Sequence, residues 1–144
     1  MTLVPLPPIT ARWVNQDGTP TQVFALAMAQ LFNQLRSYTS PPQTITSGGT
    51  LTLAHGLGAV PTYVQLRLVC VNAENGYNPG DEVVMNNATI PSGNQGVALI
   101  PDVTNLNVVY ASGGSVFMAV DKVTGAVANL TNANWRAVFR AWIL

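Results

Sequence analysis

Charge is what this chain lacks most. Charged residues make up 8% of it, against roughly 25% in an average domain, and six bases cancel six acids. Lys122 is the sole lysine, and the five arginines are scattered along the sequence. Nucleic-acid binding needs clustered cations against phosphates, so this pattern argues against it. Cys70 is the sole cysteine, which excludes an intrachain disulfide. His55 is the sole histidine, so a Ser-His-Asp or Cys-His pair would have to use it, and no Gly-x-Ser-x-Gly elbow is present. No apolar run approaches the ~18 residues of a membrane span. The opening Met-Thr-Leu-Val-Pro-Leu-Pro-Pro lacks the basic start and continuous apolar core of a signal peptide. The expectation is a protein made in a cytoplasm, with no membrane insertion.

What is present is apolar and amide-rich. Hydrophobic residues reach 48%, and the polar remainder is mostly Thr, Asn, Gln, Ser and Gly. A surface with few charges and no net charge is prone to association, so much of it is expected to be covered by other protein.

The clearest segment is Thr62–Asn72. It alternates with period two, placing Val64, Leu66, Leu68 and Cys70 on one wholly apolar face and Tyr63, Gln65, Arg67, Val69 and Val71 on a mixed one. His55–Pro61, with two glycines and a proline, bends the chain into this strand. Around it come short apolar runs punctuated by turn residues, at Gln43–Ser47, Thr50–Ala54, Glu82–Asn86, Val97–Ile100, Leu106–Tyr110 and Ser115–Asp121. Gly48-Gly49 suits a two-residue hairpin turn between the first two. Asn134–Leu144 closes the set, with Trp135, Ala137, Phe139, Ala141 and Ile143 on one face. This spacing predicts a mainly β chain built as an antiparallel β-sandwich or barrel.

Residues 1–18 are proline-rich yet apolar, which predicts an extended docking arm rather than a solvated tail. Thr19, Pro20 and Gln22 read as a helix start, and the helix is expected over residues 19–38 as a stem. Phe24, Met28, Leu31 and Leu35 follow a four-three-four spacing, the seam of a short coiled coil. That seam predicts packing against copies of the same helix or against the chain's own β-domain, residues 43–144. Trp142-Ile143-Leu144 would bury both faces of the last strand, so Trp142 and Leu144 join the expected subunit interface.

Three groups of polar residues are candidates for chemistry. His55 offers catalysis, a metal on a symmetry axis, or a hydrogen-bonded structural role. Glu74, Asp81 and Glu82, with Asn78, offer oxygens to calcium or an acid pair to a glycosidase, but their spacing matches no EF-hand loop, and turn-capping serves equally. Tyr77 and Tyr110, beside Asn-rich turns, are candidates for stacking on receptor sugars. The balance of these readings is no catalytic residue, no metal and no cofactor.

His55-Gly56-Leu57-Gly58 with Pro61, the strand Val64–Val71, then Cys70, Ala73, Glu74, Gly76, Tyr77, Gly80 and Asp81 resemble a module of tailed-phage fibre and related virion proteins. The likeness covers residues 50–85; Trp13–Thr21 is also similar to openings of small phage structural proteins. The resemblance implies a trimeric, jelly-roll-like β-knob on a stem, held to other virion proteins by an N-terminal arm, without enzyme activity. It would act as a tail fibre or receptor-binding tip on a host surface glycan or protein, or else as a head fibre or capsid decoration protein.

Overall fold

The computed structural model describes residues 13–34, 36–85 and 89–143. The chain is mainly β, with antiparallel sheets and one short helix. It divides into two compact units, one ending at Arg36 and the other Ser37–Ile143.

In the first unit, Trp13 to Thr21 fold into a tight turn rather than the extended path expected to residue 18. Val14 bridges Pro20, and Thr21 N–H donates to the Trp13 carbonyl at 3.0 Å. The Asp17 carboxylate holds both the N–H and the hydroxyl of Thr19, at 2.9 and 2.6 Å. Thr19 is therefore spent on the turn and does not cap the helix. Thr21 does, its hydroxyl accepting from Phe24 N–H at 3.3 Å. Helix α1 spans Gln22–Gln34, about 20 Å at 1.5 Å per residue. Phe24 meets the Trp13 ring edge-on, with centroids 5.3 Å apart.

The second unit begins with β1 (Ser37–Thr39) and β2 (Gln43–Thr44), followed by β3 (Thr50–Ala54), β4 (Tyr63–Cys70) and β5 (Glu82–Met85). Then come β6 (Val97–Pro101), β7 (Asn105–Tyr110), β8 (Met118–Val120), β9 (Val127–Asn129) and β10 (Trp135–Trp142). The main sheet runs β1-β10-β4-β5, with β2 also paired to β10; a second runs β3-β7-β6, and β8-β9 form a third pair. The last strand thus sits at the centre of the main sheet, against the whole of β4.

The period-two alternation produces the core. Leu66, Leu68 and Cys70 of β4 and Trp135, Ala137 and Phe139 of β10 are at most 1% exposed. They share one hydrophobic cluster with Leu106, Val108 and Tyr110 of the second sheet and with Val116, Phe117 and Leu130. Burial pushes the Cys70 thiol up in pKa, with the nearby Asp81 and Glu74 charges adding to it.

Gly48-Gly49 does not close a hairpin. β2 pairs with β10, and β3 with β7, so this turn carries the chain from one sheet to the other. It is anchored by Gly48 N–H on the Ala111 carbonyl at 2.9 Å and by the Ser47 hydroxyl on the Gly113 carbonyl at 2.7 Å.

Candidate functional site

Of the residues singled out in the sequence, His55, Glu74, Tyr77 and Asp81 form two clasps at the ends of β4. At its entry, His55 is buried, 5% exposed. Its Nδ1 accepts from Leu57 N–H at 3.1 Å, which fixes the tautomer with the proton on Nε2. That nitrogen lies 3.0 Å from the Asp102 carbonyl and donates to it. Both ring nitrogens are therefore committed to backbone, and neither is aimed at a nucleophile. The bend turns through Gly56 at φ 63° and Gly58 at φ 73°. Leu57 between them, 4% exposed, packs in a small cluster with Ala141 and Ile143. Asp102 is itself a turn group: donation from the Thr104 and Asn105 backbone N–H groups holds its carboxyl down at about 2.

The second clasp follows β4. Glu74 takes hydrogen bonds from Trp135 Nε1 at 2.7 Å and from Thr131 N–H at 3.0 and 3.1 Å. Burial raises its pKa, but donation from Thr131 and Trp135 outweighs this and holds it below the usual glutamate value. Asp81 bonds Lys122 Nζ at 2.7 Å and Asn78 N–H at 3.0 Å, and both hold its pKa low. Glu82 pairs instead with Arg67, at 2.8 Å. The three acids are thus divided among separate partners, and among the described residues no group of three His, Cys, Asp or Glu could hold a metal ion.

The two tyrosines are not displayed as expected. Tyr77 lies edge-on against Trp135, centroids 5.3 Å apart, and donates its hydroxyl to the Val120 carbonyl at 2.7 Å. It is half-buried and serves as a strut of the Glu74 clasp. Tyr110 is 2% exposed, so it is a core residue and not a receptor contact. Its parity in β7, shared with Leu106 and Val108, carries that signal. The Tyr110 hydroxyl is buried with no hydrogen-bond partner among the described residues, and desolvation raises its pKa.

Of the residues assigned to a subunit interface, Phe24 and Met28 are half-buried and Leu31 is 40% exposed. Trp142 is half-buried beside Tyr63, ring centroids 5.4 Å apart. Leu35 and Leu144 lie outside the described residues, as do residues 1–12 of the arm.

The fold also gathers what the sequence scatters. The mixed faces of β4 and β10 form one surface, in rows set by the register: Tyr63 with Trp142, Gln65 with Arg140, Arg67 with Val138, and Val69 with Arg136. Three arginines that looked unrelated therefore share a sheet face, and Glu82, opposite Val69, is the acid beside them. Arg67 Nε donates to Gln65 at 2.9 Å, and its Nη1 to Glu82. Arg136 Nη1 turns back onto the carbonyls of Ala133 and Trp135, at 3.2 and 2.8 Å. Arg140 differs: its Nε is buried with no hydrogen-bond partner among the described residues. Only the strand register brings these arginines together, and no local pattern encodes it.

An apolar groove of about 350 Å³ is lined by Val83 and Met85 of β5, Met118 and Val120 of β8, Ile90 and Tyr77, among others. No protein-family model matches the chain, and no curated protein matches it.

Proposed function

We propose that this chain is a structural protein of a tailed-phage particle, a trimeric β-sandwich knob of jelly-roll type that serves as a tail fibre or receptor-binding tip. The observation that carries the reading is the use made of the resemblance residues. His55, Leu57, Glu74, Gly76, Tyr77 and Asp81 are the side chains and turns that fasten β4 at both ends. Gly76 shows how closely they fit: at φ 75°, a Cβ there would lie 2.7 Å from Val123 Cγ2. The motif thus acts as a folding module, which accords with a virion protein whose task is to hold shape.

Association is supported by the surface. Val84, Ile100, Val103, Val120, Val123 and Val127 are each more than half exposed, on a chain with few charges to keep copies apart. The helix seam Phe24, Met28 and Leu31 supplies a further apolar stripe, and the arm preceding Trp13 would meet the neighbouring virion protein.

Three measurements test this. Light scattering on the purified full chain should give a trimer mass, reduced by Leu31→Asp. Gold-labelled antibody should decorate the tail in electron micrographs of the particle, and the purified protein should block infection. A monomer at high concentration overturns the trimer. Label confined to the head moves the protein to head fibre or decoration, and no label on any particle removes the virion reading.

A further inference from the structure

We infer that the outer face of the β4–β10 pair binds an acidic polysaccharide, its carboxylates on the arginines and its sugar rings on Tyr63 and Trp142. This rests on the attachment reading above and names the ligand class for it.

Three observations converge. The first is charge placement. In a chain with six bases in all, Arg67, Arg136 and Arg140 occupy one face of two paired strands. Arg67 is diagonal to both of the others across Val138, close enough for long side chains to reach one anion. Glu82, through Arg67, answers one of them. The second is Arg140. Its Nε is enclosed and without a partner among the described residues, so a ligand carboxylate would meet the terminal Nη groups, and a desolvated charge left unpaired is costly. A guanidinium presents a planar fork matched to a carboxylate, and Arg140 is the one on this face with no hydrogen bond spent inside the protein among the described residues.

The third is the aromatic pair. Tyr63 and Trp142 form the row next to Gln65 and Arg140, two residues along each strand, about 7 Å away. Tyr63 is half exposed. A sugar ring has a C–H face that packs on an aromatic ring, and a carboxylate on the neighbouring sugar would reach the next row. Gln65, Thr39 and Ser37, on or beside these rows, supply hydrogen-bonding groups for hydroxyls. The row spacing thus asks for rings and acids in one polymer, which favours an acidic polysaccharide over an acidic peptide. Trp142, expected at a subunit contact, becomes a ligand contact.

Binding of the full-length protein to polygalacturonate tests this, with neutral dextran and polyglutamate alongside. Polygalacturonate should bind ~fivefold or more tightly than either, weakening as salt rises to about 0.5 M. Arg140→Gln and, separately, Tyr63→Ala should each weaken binding by ~fivefold or more. Tyr63 is exposed enough that its truncation leaves the fold intact, and unchanged urea midpoints verify this for both variants. Equal binding to polyglutamate overturns the sugar assignment. No binding to polygalacturonate, or binding indifferent to both substitutions, overturns the site. Loss of binding with particle labelling retained removes this inference alone; binding without labelling removes the virion reading and leaves the site.

Discussion

The indole Nε1 of Trp135 donates to Oε2 of Glu74 across 2.7 Å, tying the loop after β4 to the first residue of β10. Trp135 is wholly buried, so its N–H has no recourse to water if the carboxylate goes. Glu74→Ala should cost about 2–3 kcal/mol, the penalty for an orphaned buried donor plus the lost bonds to Thr131. Glu74→Gln, which keeps one acceptor oxygen, should cost about half as much. Urea unfolding followed by tryptophan fluorescence measures both.

The same carboxylate sets an acid limit. Glu74 has a folded pKa below its ordinary 4.5, and Asp102 falls from 3.8 to about 2. Groups depressed by folding stabilise the folded state above their unfolded pKa and lose that contribution as pH falls through the folded value. The urea midpoint should therefore be level at neutral pH and fall as pH drops from 4.5 toward about 2. In Glu74→Gln the upper part of that decline should flatten. An unchanged profile in the variant would remove Glu74 from the account.

At the other end of β4, Leu57→Ala empties a site 4% exposed against Ala141 and Ile143 and should cost about 2–4 kcal/mol. His55→Ala breaks the contacts to Leu57 N–H and the Asp102 carbonyl and should cost about 1–3 kcal/mol. The residues act through one bend, so the double variant should lose less than the sum. Full additivity in a denaturation cycle would mean that His55 does not position Leu57.

The strands with long alternation were legible. β4 and β10 each carry eight residues of period-two pattern, and a face that must be buried announces itself at that length. β1 and β9, three residues each, show too little pattern to stand out; they exist because β10 and β8 offer them an edge. The helix start was misplaced by two residues because Thr19 and Thr21 are equally good caps locally, and Asp17 claims the first. The turn beside Tyr110 masks its strand parity, which places it in the core. The arginine face was invisible for a different reason: Arg67 and Arg140 are separated along the chain and meet only through the pairing of β4 with β10.

That pairing also dictates an order of events during synthesis. β10 leaves the ribosome after β1 to β9, yet it is the one that β1, β2 and β4 all require as a neighbour. Until it emerges, β1 and β2 have no mate in this sheet and β4 keeps one side bare. Such open edges invite mispairing between nascent chains. Cells making this protein in quantity should therefore hold the growing chain on a chaperone until Trp135–Trp142 arrive.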